Sequence, residues 1–259
     1  MKLIVALAIV MASTVVMLGQ PARSGVEMVV KLEAQRIAGQ DVSEQTLRIL
    51  ESELPSGGAE VRYITDGQAV RSTLSGRMFG FEDGTVRLAP PGSSDLQVLN
   101  PKDRTYRLRP QDARLFAGQK RDFDFQRSGK VKTILGEKTY LVTGRIRVNA
   151  APIPGASVQV VHEVGADIQN WCTSSVRVPV AMAKMIDMAR NLVGSGDPRF
   201  AEYQEACPLA LQSATKLSLF PGFELVSTTL SIRRLSQVPP ATFQLPAGYQ
   251  RVVEGGAEQ

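Results

Sequence analysis

Apolar and polar side chains alternate with period two through most of this chain, and that pattern constrains the fold more than any other feature. Val26, Met28, Val30, Leu32 and Ala34 face one way, and Glu27, Lys31, Glu33 and Gln35 the other, with Val29 the exception. Such segments are half-buried strands. The spacing predicts further strands over 46–53, 59–64, 68–74, 78–81, 85–88, 96–99, 105–108, 130–134, 140–148, 158–164 and 168–173, with Phe123 and Phe125 in another. Asp66-Gly67 and Asp83-Gly84 tolerate the positive φ of tight hairpins, and Asn100-Pro101-Lys102-Asp103 is a third turn signal. The strand pattern returns over 210–220 and 224–235. These elements describe a meander of short antiparallel strands.

One segment departs from the alternation. Pro179 suits the start of a helix. At 100° per residue, Met182, Met185, Ile186, Met188, Ala189, Leu192 and Val193 fall on one arc. Lys184, Asp187, Arg190 and Asn191 fall on the opposite one, so an amphipathic helix is predicted from Val180 to Val193. Gly194 and Gly196 end it, and Asp197-Pro198 opens a second, short helix running to about Ala206. Three methionines on the first helix suit a surface that adapts to apolar shapes. The plain alternative is that they pack on the sheet as core.

The first residues read as an export signal. Lys2 precedes an apolar run from Leu3 to Leu18, and Gln20-Pro21 breaks it. Ala22-Arg23-Ser24 then places small residues three and one positions before a cut at Gly25. An uncleaved anchor is the alternative, although the run is short for a membrane span. No Cys stands at the cut to carry a lipid. The expected organisation is a signal peptide over 1–24, one β-rich domain over 25–253 and a mobile tail over 254–259, in a periplasmic or secreted monomer. Removing 1–24 takes away Lys2 and Arg23 and no acid, leaving 28 basic against 25 acidic residues. That balance argues against nucleic acid as a partner. The excess is local: Lys102, Arg104, Arg107, Arg109, Arg114, Lys120, Arg121, Arg127, Lys130 and Lys132 face four aspartates. A solvated strand face is the plain reading of that run; contact with anionic lipid or an acidic protein is the sharper one. Cys172 and Cys207 are the two cysteines, and an oxidising compartment favours joining them.

Catalytic motifs are lacking. The sequence has no His-Glu-x-x-His, no Gly-x-Ser-x-Gly and no phosphate-binding glycine loop. Its single histidine, His162, falls among valines. Ser213-x-x-Lys216 has a nucleophile's spacing, but a strand there sends the two side chains to opposite faces, and the partner motifs are missing. Asp122 and Asp124 read as a solvated pair, and two Cys with one His offer too few ligands for zinc. No enzyme, metal site or cofactor is expected.

Several stretches carry a resemblance. They are Arg62-Tyr-Ile-Thr-Asp-Gly-Gln-Ala-Val-Arg71, Asp95-Leu-Gln-Val-Leu-Asn-Pro-Lys-Asp-Arg-Thr-Tyr106, Ile134-Leu-Gly136, Asp167-Ile-Gln-Asn-Trp171-Cys-Thr173, Cys207-Pro208-Leu209 and Gln244-Leu245-Pro246-x-Gly248-Tyr249. Together, over about residues 28–250, they resemble the exported domain-of-unknown-function family 4412, related to the outer-membrane lipoprotein-sorting superfamily. The resemblance implies a mainly β (α+β) fold: a curved antiparallel half-barrel with one or two helices covering its concave face, which in some members holds acyl chains. It implies no catalytic residues. The expected function is therefore a non-enzymatic envelope protein binding an acyl chain or other apolar ligand under Met182, Met185, Ile186, Ala189 and Leu192. The alternative is a structural or protein-interaction module whose helix only completes the core. The expected processing is checked directly: the intact mass of the exported protein should correspond to a start at or within a few residues of Gly25, and a full-length, membrane-embedded product excludes it.

Overall fold

The computed structural model describes residues 22–110, 121–149, 163–187, 198–218 and 220–253. The expected signal segment, the tail over 254–259, His162, and Met188, Ala189, Leu192, Val193, Gly194 and Gly196 lie outside the described residues or almost wholly so. Among the described residues twelve strands form one open, curved sheet, a half-barrel. In chain order they are β1 (Arg23–Arg36), β2 (Ala59–Thr65), β3 (Val70–Ser75), β4 (Val86–Ala89), β5 (Asp95–Asn100), β6 (Thr105–Pro110), β7 (Arg121–Ile134), β8 (Glu137–Asn149), β9 (Glu163–Thr173), β10 (Leu209–Leu217), β11 (Phe223–Val238) and β12 (Gln250–Arg251). The spatial order is β12-β6-β5-β4-β3-β2-β1-β11-β10-β9-β8-β7. Every pairing is antiparallel except the two-residue β12–β6 contact. The chain thus builds one meander from β1 to β6 and a second from β7 to β11. The two join where β1 pairs with β11, from Arg23↔Val238 to Arg36↔Phe223.

Among the described residues, three α-helices accompany the sheet: α1 (Glu44–Glu53), α2 (Val180–Ile186) and α3 (Pro198–Ala206). The strand expected over 46–53 is α1. The Ser43 side chain accepts from the Thr46 backbone N–H at 3.1 Å and starts the helix. Thr46, Leu50 and Leu54 then fall on its buried side. The strand expected over 78–81 is instead a tight turn, closed by reciprocal backbone bonds between Met78 and Phe81 at 3.0 and 2.9 Å. Along β2 and β3 the alternation is obeyed, with Ala59, Val61, Tyr63 and Thr65 of β2 buried; the strand expected over 158–164 lies outside the described residues up to 162. The expected hairpin at Asp66-Gly67 is present, with Gly67 at φ +88° and the Asp66 carboxylate accepting from Gln68 and Ala69.

Side chains on the concave face form two adjoining cores. Met28 and Val30 of β1, Val61 and Tyr63 of β2, Leu211 of β10 and Leu225 of β11 pack with Leu54, and with Met182 and Ile186 of α2. Phe123, Val142, Ile146, Ile168 and Ala210 pack with Phe200 and Tyr203 of α3, and the two aromatic rings Phe123 and Tyr203 meet edge to face at 5.3 Å. The outer face of β4 and β5 is covered by the chain's own C-terminal segment: Leu245 and Tyr249 rest on Val86, Leu88 and Leu99.

Elsewhere the outer face is charged and cross-stitched. Asp124, Arg145, Asp167, Lys216 and Glu224 lie directly opposite one another across β7 to β11, alternating in sign. At the seam of the two meanders, the Glu27 carboxylate of β1 accepts from Arg62 of β2 and from Arg233 of β11. Gly25 stands at the same seam because a Cβ there would lie 2.2 Å from the Thr65 carbonyl oxygen. Of the basic run Lys102–Lys132, Lys102 and Arg104 precede β6, Arg107 and Arg109 lie on β6, and Arg121, Arg127, Lys130 and Lys132 lie on β7, near the other end of the strand order, while Arg114 and Lys120 lie outside the described residues. Ser213 is buried and Lys216 exposed on opposite faces of β10, as the alternation requires.

Cys172 of β9 and Cys207, just after α3, are joined in a disulfide with their Cα atoms 5.1 Å apart. It ties together both ends of the excursion that carries α2 and α3.

Two predictions follow from these ties. Partial burial pushes the Glu27 carboxyl up, but the hydrogen bonds and charges of Arg62 and Arg233 outweigh it and hold it below the ordinary value. Ionised Glu27 therefore stabilises the fold above the ordinary glutamate value of about 4.3, and that contribution disappears as pH falls through the lower folded-state value. Glu27→Gln should cost about 1–2 kcal/mol at pH 7 by urea unfolding and shrink toward no effect in strong acid; an equal cost at all pH values contradicts the charge argument. Replacing both cysteines by serine should cost on the order of 4 kcal/mol, the chain-entropy value for a loop of this length. Reductant should lower the urea midpoint of the native protein to that of the double variant and leave the variant unchanged.

Candidate functional site

A half-enclosed cavity of about 180 Å³ lies between α2 and the concave face. Val30 and Leu32 of β1 line it, with Val61 and Tyr63 of β2 and Leu225 of β11. Met185 and Ile186 of α2 face it from one side, and Met78, Phe79 and Phe81 of the tight turn from another. Polar groups enter at two places: Arg87 of β4, and the hydroxyls of Ser213, Thr215 and Ser227 on β10 and β11.

The turn that supplies the aromatic wall is strained. Phe79 has φ +45° and Gly80 φ +76°, the pair of left-handed residues that a type I′ hairpin turn needs. A bulky side chain at the first of those positions costs on the order of 1–3 kcal/mol, where Asn or Gly fits freely. The conformation is held by the Phe79 N–H donating to the Glu53 carbonyl at the end of α1, 2.7 Å away. α1 thus braces the turn, and the turn sends Phe79 into the cavity.

α2 is held from both sides. The Tyr63 hydroxyl donates to the Met185 carbonyl at 3.2 Å. On the other side, Asp187 accepts from the Tyr203 hydroxyl at 2.6 Å and from the Asn170 amide at 3.1 Å. The Lys184 ammonium sits 5.3 Å from the centre of the Phe200 ring. Lys184 and Asp187 are therefore buried, contrary to the solvent-facing arc expected for them. α3 and β9 cover the side of α2 that a lone helix would leave in water, and they supply the hydrogen bonds a buried carboxylate requires.

Of the five residues expected to bind a ligand, Met185 and Ile186 line the cavity. Met182 does not: it is wholly buried core. Ala189 and Leu192 lie outside the described residues. The sequence reading missed Arg87, Tyr63, the turn aromatics and the hydroxyl wall. One signal was present, the run Met78-Phe79-Gly80-Phe81, in which three large apolar residues surround a glycine where a polar turn is usual.

A wider groove, about 470 Å³, lies on the outer face over the alternating charges. There the Arg145 Nε–H donates to Asp167 at 2.7 Å, and charges of both signs line the groove, so it selects neither. Among the described residues, no cluster of three or more His, Cys, Asp or Glu is placed to hold a metal, and no helix is long and apolar enough to cross a membrane.

Tyr63 and Arg87 influence each other. Burial pushes the Tyr63 phenol up, and the Arg87 guanidinium beside it offsets part of that rise. The phenol therefore stays protonated and keeps donating to Met185 at any physiological pH.

No protein-family model and no curated protein matches the chain. Among solved structures, it is similar to an uncharacterized conserved protein from Thermus thermophilus, with 9% identity, a TM-score of 0.42, and 88% of this chain and 90% of that one covered. It is similar also to a LolA superfamily protein from Nitrosomonas europaea, with 12% identity, a TM-score of 0.34, and 86% and 91% covered.

Proposed function

We propose that this chain is an exported, non-catalytic protein of the cell envelope that binds an apolar group between α2 and the concave face of the sheet. The observation that carries this reading is the strained Phe79-Gly80 turn. A bulky residue is forced into a left-handed conformation and braced by α1, and the result is an aromatic wall for a cavity that a relaxed turn would leave without one. Backbone strain of this kind persists where the surrounding structure over-determines it, and it gathers at ligand clamps. The rest of the lining is suited to an acyl segment or another compact hydrocarbon, since Met185 adapts to irregular shapes and the floor is branched aliphatic.

The cavity's size favours the second reading, a structural or interaction module. Drug-sized ligands usually occupy about 300–1,000 Å³, whereas a cavity near 150 Å³ accommodates benzene. The observed volume sits just above the latter. It holds a short hydrocarbon body, not a whole lipid.

The two readings are separated by titrating a fluorescent fatty acid into the purified protein. Native protein should bind it, and Met185→Lys should weaken binding at least tenfold by placing an ammonium in the apolar lining. The bond from Tyr63 reaches the backbone at 185, so it survives this change and the strand signal in circular dichroism should persist. A native protein that never binds the probe, or a variant that unfolds, gives the result to the interaction module.

A further inference from the structure

Arg87 is out of place in an apolar cavity. Its residue is half-buried, its Nε–H donates to the Ser72 hydroxyl at 3.0 Å, and its guanidinium lies 5.8 Å from the centre of the Phe81 ring. None of the ion pairs among the described residues involves it. A guanidinium carries five N–H donors; the Ser72 hydroxyl takes one of them and the neutral Tyr63 phenol lies beside the group, but neither supplies a counter-charge. Placing a cation in a partly dry site without a counter-charge costs free energy that only an anion restores in full.

Register explains how Arg87 comes to be there. Tyr63, Ser72 and Arg87 stand directly opposite one another across β2, β3 and β4, so they share the concave face. The row continues through Val98 of β5 to Arg107 of β6. Arg107 and Arg109 line an adjoining groove of about 260 Å³, which shares Phe81 with the cavity. Glu82 and Asp103 line the same groove, so it carries both signs of charge, and within the cavity itself Arg87 is the charged lining group. The other polar groups of the cavity, Ser213, Thr215 and Ser227, are neutral hydroxyls buried on the opposite wall. Hydroxyls accept from an alcohol as readily as they donate to an acid, so they do not select charge.

Resting on the apolar-binding reading above, we propose that the ligand is an anionic amphiphile: a compact hydrocarbon body in the cavity, and a carboxylate or phosphate monoester head held by Arg87. Ser72 and Phe81 fix the guanidinium plane, and its terminal nitrogens supply charge-assisted bonds to the head.

The test compares octanoate, octyl phosphate and 1-octanol as displacers of an uncharged apolar fluorophore, N-phenyl-1-naphthylamine, from native protein, Arg87→Gln and Arg87→Lys. In native protein at least one of the two anions should displace the probe at a tenfold lower concentration than octanol, and the better one identifies the head. Arg87→Gln should reduce that advantage to within twofold while leaving octanol unchanged, and Arg87→Lys should keep part of it, because a lysine retains the charge without the planar fork. A second measurement needs no variant: raising salt to 1 M should erode the anion's advantage in native protein and leave octanol's displacement unaltered. If octanol equals both anions, or the advantage survives in Arg87→Gln, or salt has no effect on it, Arg87 does not read an anionic head and the inference falls while the apolar site stands. If none of the three displaces the probe, or no probe binds, the cavity reading falls and this one with it.

Discussion

The pairing of β1 with β11 is the constraint on which the remainder rests. The first described strand of the chain lies at the middle of the sheet, held on one side by its sequence neighbour β2 and on the other by a strand about two hundred residues later in the chain. Each meander is local and closes short loops, but neither has a complete concave face. Val30 and Leu32 on β1 supply the floor of the cavity, β2 to β4 and the Met78–Phe81 turn one wall, and α2 with β10 and β11 the other. The cavity exists only when the seam is made. Loop closure between such distant segments must precede its reward, which makes the tie through Glu27, Arg62 and Arg233 on the outer face useful: it joins β2, β1 and β11 with one carboxylate.

The strands were legible because each turns one face to the core and the other to water, and that imprints a period of two on the residues themselves. The exceptions have physical causes. Residues 46–53 carry enough apolar side chains to pass for a strand, yet the Ser43 cap and the spacing of Thr46, Leu50 and Leu54 commit them to α1. At Met78–Phe81 the apolar run is real, but Gly80 allows a two-residue reversal that no strand tolerates. The disulfide was legible from number and compartment alone. The site was legible only in part. Met185 and Ile186 announce themselves through helical periodicity, whereas Arg87 acquires meaning only when three strands are in register and its neighbours are known to be Ser72 and Tyr63. A basic residue on a strand otherwise reads as solvated. Asp187 and Lys184 were misplaced for the same reason: periodicity describes a helix with one dry side, and α2 has partners on both.

These contacts also bear on whether α2 is a moving lid. For α2 to rise from the sheet, the Tyr63 hydroxyl must leave the Met185 carbonyl, and Asp187 must part from Tyr203 and Asn170. Each neutral bond is worth about 0.5–1.5 kcal/mol net, and those to a charged group about 1.5–3. Opening also exposes Met182 and Ile186, at about 25 cal/mol per Å² of apolar surface. The disulfide ties the excursion at both ends. A ligand long enough to require opening must recover all of this from its own burial. One that fits within about 180 Å³ recovers its full transfer free energy and disturbs nothing. On the proposed reading the closed geometry would therefore select first by size and then by charge: short hydrocarbon segments would enter below α2 with their polar ends toward Arg87, and a longer chain would be admitted only as far as its terminal portion.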